Sequence, residues 1–368
     1  MLIQHFRLGG KLDGEELALL NMSKALKRVG VSPTIIAQEG VKSHQVFEGV
    51  EVFGTAPGPY GLTSLARRIE LDRDLGFSVI HSHEERRTYL HGFLKLGTPL
   101  VVHYHNPLSV TPKNVGRFMV SMKMADRIFV PSAWVARALS ASLRVPPDKI
   151  SVIHNGVDTQ LFQRRKDTSD LGKYGIPDEG DVVQFVGRCS PIKGILTLVQ
   201  AAPKVLRELP KTKFVFVGVQ PTGGISQVSY YGKILQDVHA LGITDSCIFL
   251  PFLNQVDLPD FYSRASITVI PSIKEAFAQT AVESLACGTP VVASRVGGLP
   301  EILNEGVGEL VPASDAGELA EAILRLMKNE NLRVKMGLSG RKLVEDSFTW
   351  EATALKIRQS YLELAAEN

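Results

Sequence analysis

Cysteine is scarce in this chain: Cys189, Cys247 and Cys287 are the only three in 368 residues. They are widely separated and lack metal-ligand spacing, which argues against a disulfide framework and a cysteine-held metal. They read as reduced thiols, two of them in the core; Cys189 follows a cation, so a reactive thiol is the alternative there. Long apolar runs are also absent. Nothing approaches the ~20 residues of a membrane span, and Met1 to Phe6 is too short and polar for a signal peptide, so the expected location is the cytoplasm. Charge of one sign is lacking too, since 41 Lys and Arg against 38 Asp and Glu leave a formal charge of +3. That is little to hold a nucleic acid, whose phosphate track requires clustered cations. No short internal repeat is present, which excludes a solenoid. What is there is 44% apolar residues, too many for a disordered chain, spread over a length that predicts two or three domains.

Strand and helix patterns alternate, as in parallel α/β folds. Strands are expected at 2–6, 34–37, 79–81, 100–103, 128–130 and 150–153, then at 182–186, 214–217, 247–250, 267–270, 291–293 and 309–311. Helices are expected at about 15–29, 62–74, 133–142 and 350–364. The stretch 163–180, rich in glycine and charge, reads as a linker. Two doubly wound domains facing a cleft are the simplest arrangement.

Glu275 and Glu283 stand eight residues apart where the β-branched run Ile267 to Ile270 gives way to a helix beginning near Thr280. A helix rises about 1.5 Å per residue, so the pair spans at most roughly 12 Å, about the reach of a diphosphate with a sugar at one end and a ribose at the other. The N–H groups of Ala278, Gln279 and Thr280 would form a helix N-terminus between them, which favours a phosphate. The plain alternative is one acid complementing the helix dipole and the other facing solvent. A second loop changes that balance. Arg188 and Lys193 follow the strand Val182 to Val186, and ligands in open parallel sheets bind outside the carboxyl ends of strands. Arg offers a planar fork and Lys a mobile point charge for phosphate oxygens.

These residues resemble a known family, the retaining family 4 glycosyltransferases. The likeness is carried by Gly187-Arg188 with Lys193-Gly194, by Glu275 to Glu283, and by Gly288-Thr289-Pro290-Val291-Val292-Ala293 followed by Gly297-Gly298-Leu299-Pro300-Glu301. Val152 to Asp158 with Phe162 looks like the family's signature at the end of the first domain. The resemblance covers nearly the whole chain. It implies the GT-B fold: an N-terminal Rossmann-like acceptor domain at 1–165, a C-terminal Rossmann-like donor domain at 166–348, and a last helix at 349–368 crossing back to the first domain, with a cleft between the two. It implies transfer of a sugar from a nucleotide diphosphate donor to a hydroxyl with retention at the anomeric carbon, no cofactor and no obligatory metal. Front-face substitution is implied with it. Two departures stand out: Ala278 and His154 replace a usual Gly and a usual Pro. The added methyl at 278 would narrow the phosphate's approach.

On this reading Arg188, Lys193, Glu275 and His105 serve catalysis. Gly10, Phe252, Leu253, Ala278, Gln279, Thr280 and Glu283 serve donor binding, with Glu283 on the ribose and Phe252 and Leu253 beside the base. Gly10 belongs to a glycine-rich turn, Leu8 to Glu16, in which Gly14 is the other candidate contact. His105 is given by the resemblance as the residue facing the donor sugar; Glu84 and Asn106 would lie near the acceptor. His81, His83, His103 and His105 form two His-x-His pairs after predicted strands. Such pairs suit zinc, or imidazoles satisfying buried carbonyls, and no acidic or cysteine ligand set accompanies them. Asp72-Arg73-Asp74 resembles a metal-binding D-x-D, but a helix-like surround makes it a solvated charged face. Lys113, Arg117, Lys123 and Arg127 bracket Phe118-Met119-Val120 and Met122 in an amphipathic helix, which suits either an ordinary surface helix or attachment to the inner membrane surface. A UDP sugar of glucose or N-acetylglucosamine is the leading donor and GDP-mannose the second. A lipid, a polysaccharide and a small aminocyclitol remain open as acceptors, their contacts expected in Phe53 to Gly61 and Asn106 to Asn114. The competing functions are a silent nucleotide-sugar-binding subunit and a GT-B-like epimerase or phosphorylase.

Overall fold

The computed structural model describes residues 2–3, 14–37, 44–54, 60–83, 97–105, 115–221 and 225–367. Gly10, Glu84, Asn106, Lys113 and most of the expected acceptor loops lie outside the described residues.

The chain divides into two units, Met1–Gly156 with Trp350–Asn368, and Val157–Thr349. The first is built on an eight-stranded sheet in the order β3-β4-β2-β1-β5-β6-β7-β8. Its strands are β1 (Leu2–Ile3), β2 (Thr34–Ala37), β3 (Gln45–Phe47), β4 (Val50–Gly54), β5 (Ile80–Ser82), β6 (Leu100–His103), β7 (Arg127–Val130) and β8 (Ile150–Val152). All pairings are parallel except the β3–β4 hairpin, which the sequence did not announce. Its two-residue turn holds Glu48 at φ 48° and Gly49 at φ 83°, the left-handed pair that a tight hairpin needs. The final helix, Trp350–Ala366, belongs to this unit: Trp350, Ala354, Ile357 and Leu364 bury against Leu19, Leu20 and Leu26 of the helix Gly14–Arg28. An Arg28–Glu351 ion pair joins the same two helices at the surface.

The second unit carries a six-stranded, fully parallel sheet in the order β11-β10-β9-β12-β13-β14. These are β9 (Val182–Val186), β10 (Lys213–Val217), β11 (Cys247–Phe249), β12 (Ile267–Ile270), β13 (Val291–Ser294) and β14 (Gly308–Val311). Helices cover the central strands, so β12 and β13 are buried throughout and read as continuous apolar runs. The helix Ile195–Glu208 buries Ile195, Leu198, Val199, Ala202 and Val205, a stripe at helical spacing. It packs in one core with the helix Ala316–Met327, whose start is fixed by Asp315 accepting a hydrogen bond from the Glu318 N–H at 2.9 Å. The stretch 163–180 departs from the linker expectation. It contains a short 3-10 helix, Ser169–Tyr174, and inserts Leu171 and Ile176 into a core with Val182, Val215 and Phe261.

Candidate functional site

In the second unit the chain begins at β9, places β10 and β11 on one side, then returns to place β12, β13 and β14 on the other. The reversal between β9 and β12 is a topological switch point, where the loops leaving neighbouring strands diverge and open a crevice. The loop after β9 carries Arg188 and Lys193, and the loop after β12 carries Glu275.

Two glycines draw these loops together. Gly194 has φ +66°, and a Cβ there would stand 1.8 Å from the Pro271 carbonyl oxygen. Gly297, at φ +58°, would put a Cβ 1.6 Å from the Glu275 carbonyl oxygen. Neither position tolerates a side chain, because both the dihedral and the space demand glycine. Two backbone bonds complete the clamp: the Ile273 N–H donates to the Ile192 oxygen at 2.8 Å, and the Gly298 N–H to the Glu275 oxygen at 3.2 Å.

Held in this way, Lys193 Nζ lies 2.7 Å from Glu275 Oε2, and the Ser272 hydroxyl donates to the same oxygen at 3.1 Å. Their side chains are 22% and 11% exposed, so the pair is partly desolvated, yet a ligand can still reach it. Arg188 is exposed and has no ion pair among the described residues. The structure therefore gives the two cations different settings. One is pre-positioned against a carboxylate, and the other is presented to solvent.

The helix Gln279–Ala286 starts between the two glutamates, with Ala278 as its N-cap and the Ala281 N–H bonding the Ala278 oxygen at 3.0 Å. Gln279 and Thr280 make its first turn and are half-buried. Ala278 itself is buried with φ 78° and ψ 69°. That left-handed conformation costs a non-glycine residue about 1 to 2 kcal/mol, which gives the substitution noted in the sequence a physical meaning. Further along the helix, Glu283 is 5% exposed and accepts a hydrogen bond from the Tyr262 hydroxyl at 2.8 Å. Burial pushes its carboxyl up to about 7, while the Tyr262 and Gln255 hydrogen bonds pull the other way. Sequence reasoning missed Tyr262 and Ser272. The only available signal was their polarity beside apolar neighbours.

Phe252 and Leu253 follow β11, two strands from β9 in the sheet. Phe252 is 48% exposed, and Leu253 packs partly on the core. The ends of β10 and β11 are tied by the Gly218 and Val219 N–H groups, both bonded to the Leu250 oxygen at 3.1 Å. Cys189 is 5% exposed and burial pushes its thiol up, which opposes the reactive alternative.

In the first unit, His81 lies within β5 and His83 just beyond it, while His103 ends β6 and His105 follows two residues on. Each pair shares a face because side chains two apart on a strand point the same way. The four rings form a stack, with centroids 4.4 Å apart for His81 and His83 and 4.1 Å for His103 and His105. His83 Nδ1 lies 2.9 Å from His105 Nε2, and His81 Nδ1 lies 2.6 Å from the Tyr361 hydroxyl. Burial first, then the neighbouring imidazoles, hold His81, His83 and His103 well below the usual histidine range, and burial lowers His105 to about 4. The rings are accordingly neutral. His81 Nε2, His83 Nε2 and both nitrogens of His103 are buried without a hydrogen-bond partner among the described residues. A buried polar group left so costs about 1 to 3 kcal/mol.

The two decoys separate cleanly. Asp72-Arg73-Asp74 lies in the helix Tyr60–Leu75, where Asp72 accepts from the Phe77 N–H at 2.9 Å. Phe118 and Met122 of the helix Val115–Met124 are buried, whereas Met119 and Val120 are 49% and 39% exposed. No helix among the described residues is long and apolar enough to cross a membrane.

Two mainly parallel doubly wound units, with cations and carboxylates gathered at the switch point of the second, have the fold of the GT-B glycosyltransferases. The chain belongs to glycosyltransferase family 4: residues 12–161 match the family described as Glycosyltransferase Family 4, and residues 166–343 match Glycosyl transferases group 1. It is similar to the D-inositol 3-phosphate glycosyltransferase of Acidothermus cellulolyticus, at 34% identity over 83% of this chain and 71% of that protein. The enzyme of the same name from Mycobacterium leprae (strain TN) is 30% identical over 90% of this chain and 80% of its own length. Among solved structures, sucrose-phosphate synthase from Thermosynechococcus elongatus superposes with a TM-score of 0.83 at 24% identity, covering 100% of this chain and 99% of that one. Anabaena HepE in complex with UDP-glucose gives a TM-score of 0.80 at 21% identity, covering 98% of this chain and 99% of that one. These two likenesses speak for the fold.

Proposed function

We propose that this glycosyltransferase is a retaining, metal-independent hexosyltransferase that moves a sugar from a UDP-linked donor to a hydroxyl of a small phosphorylated cyclitol. The observation that carries the donor half is the juxtaposition of Arg188, the Lys193–Glu275 pair and the N-terminus of the helix Gln279–Ala286 at one switch point. As the glycosidic bond lengthens, negative charge gathers on the diphosphate and an oxocarbenium-like charge on the sugar. Arg188 and Lys193 stabilise the first, and the helix N-terminus adds to them. Those charges do for the leaving group what a divalent cation does elsewhere, so the reaction needs neither metal nor organic cofactor at this site. Glu275 orients sugar hydroxyls, and Glu283 accepts hydrogen bonds from the ribose, with Tyr262 aiming its carboxylate. Phe252 and Leu253 border the base, and Gly10 is assigned to the donor by the family resemblance alone.

The acceptor hydroxyl arrives on the face from which the diphosphate leaves. A new C–O bond forms as the old one breaks, and the hydroxyl proton passes to the departing phosphate oxygen. The role of His105, orienting the transferred sugar, rests on the family resemblance. The acceptor class rests on the activity for which the relatives at 34% and 30% identity are named. UDP as the nucleotide is supported by the likeness to a protein solved with UDP-glucose.

The test is product formation from UDP-, GDP- and ADP-sugars with inositol phosphates as acceptors, in chelator-treated buffer, with the anomeric configuration read by NMR. The expected result is an α-linked product from a UDP sugar. An inverted product, or donor hydrolysis that no acceptor accelerates, would refute the reading. Tight donor binding with no turnover would instead favour a silent binding subunit.

A further inference from the structure

Three imidazoles of the first unit's cluster, His81, His83 and His103, are unused by the donor chemistry, and their pattern of satisfied and orphaned nitrogens is selective. In His81 and His83 one nitrogen is engaged, by Tyr361 and His105 respectively, and the other, Nε2, is buried and without a partner among the described residues. In His103 both nitrogens lack a partner among the described residues. One ring nitrogen from each of these three residues lies within 4.8 Å of the other two. A ring whose Nδ1 is hydrogen-bonded and whose Nε2 is left open has the arrangement of a metal-ligating histidine, in which the bond at one nitrogen fixes the tautomer and presents the lone pair of the other.

We propose that His81, His83 and His103 bind a divalent transition-metal ion of the zinc class, tying the carboxyl ends of β5 and β6 together. The donor set is three imidazoles with no carboxylate. It therefore disfavours magnesium and calcium, which take oxygen ligands, and suits zinc, which accepts three histidines with one position left for water. At zinc–nitrogen distances of about 2.0 to 2.1 Å, tetrahedral ligand atoms are about 3.4 Å apart, so ring rotations moving each nitrogen by roughly 1 Å close the cluster. Metal on His83 Nε2 leaves its Nδ1–H to donate to His105 Nε2, which fixes the tautomer of His105. The ion would thus act as a brace for His105.

The experiment uses the full chain, stripped with chelator, dialysed and titrated with zinc and separately with cobalt(II). Bound metal is measured by elemental analysis after desalting, and coordination by the visible absorption of the cobalt form. One equivalent of zinc per chain, a raised thermal midpoint and a cobalt spectrum of nitrogen ligation are expected. His103→Gln and His83→Gln should each lose that equivalent while keeping the wild-type circular dichroism, and His44→Ala, at an exposed histidine of the same unit, should keep it. If the wild type retains no zinc after desalting, or its zinc and cobalt signals survive both cluster substitutions, the proposal is overturned. The wild-type cobalt spectrum decides the matter even should a glutamine variant fail to fold.

Discussion

The two units share a construction and differ in what they put at the ends of their strands. Each is a mainly parallel sheet in which the first strand is flanked on both sides by later ones. In the second unit the strand ends carry opposed charges held by glycine-clamped loops: Arg188, Lys193 against Glu275, and Glu283 behind them. In the first unit the ends of β5 and β6 carry four neutral, stacked imidazoles. The same topology therefore accommodates a cluster of opposed charges, the diphosphate site of the proposed function, and a cluster of uncharged nitrogen donors. Fold supplies the crevice, and side chains decide the chemistry.

The comparison breaks first, and most severely, at the charged end. Arg188→Ala and Lys193→Ala should each lower turnover by about 10²- to 10³-fold, the usual loss for a well-aimed donor to a developing anion, with little change in the thermal midpoint. Lys193→Ala also leaves Glu275, 11% exposed, without its ion pair, so it should cost more stability than Arg188→Ala. Steady-state kinetics and calorimetric melting separate the two effects.

Next in size is the glycine clamp. Gly297→Ala places a Cβ 1.6 Å from the Glu275 oxygen at φ +58° and should lower stability by about 2 to 4 kcal/mol, from overpacking and left-handed strain together. A fall in the urea midpoint checks it; an unchanged midpoint would mean that the loops are not held as described.

A smaller effect concerns Glu283, whose folded-state carboxyl titrates at about 7 against an ordinary 4.5. Between those values the folded chain holds a proton that the unfolded chain has released. This group's contribution to stability is therefore full below about 4.5 and is lost as pH rises through about 7. On the proposed function ribose hydroxyls donate to the ionised form, so UDP affinity should rise by about tenfold between roughly pH 6 and 8. Glu283→Gln should flatten both profiles, read by titration calorimetry and by melting across pH.

Smallest is Ala278→Gly, which relieves the left-handed strain at φ 78° and should stabilise the chain by up to about 1 kcal/mol. The gain is reduced by glycine's greater freedom in the unfolded state, and a denaturant titration reads the net.

Much of this was legible in the sequence. The bounds of β2, β9 and β12 were read correctly because runs of apolar or β-branched residues, interrupted only by Gln184, are punctuated by Pro33 before β2, Gly187 after β9 and Pro271 after β12. The β3–β4 hairpin was not, since Gln45–Phe47 is short and only partly buried and its turn places a glutamate at positive φ. The stretch 163–180 misled because local glycine and charge looked like a linker while Leu171 and Ile176 supplied the packing. In the site, residue types at the helix mouth were visible from spacing alone. The Lys193–Glu275 pair joins residues 82 positions apart, and Tyr262 reaches Glu283 across 21. Tertiary packing creates both contacts, so no local pattern encodes them. The His-x-His pairs were seen, but the orphaned nitrogens that give them meaning exist only once β5 and β6 are adjacent.

The central claim is that the charged strand ends of the second unit hold the donor's diphosphate. Its most direct test is titration calorimetry of UDP and of uridine, in chelator-treated buffer, against the wild type and Arg188→Ala. The account predicts UDP binding without added metal that weakens at least tenfold in the variant, about 1.4 kcal/mol, while the weaker affinity for uridine is unchanged. Equal UDP affinity in the two proteins would contradict it.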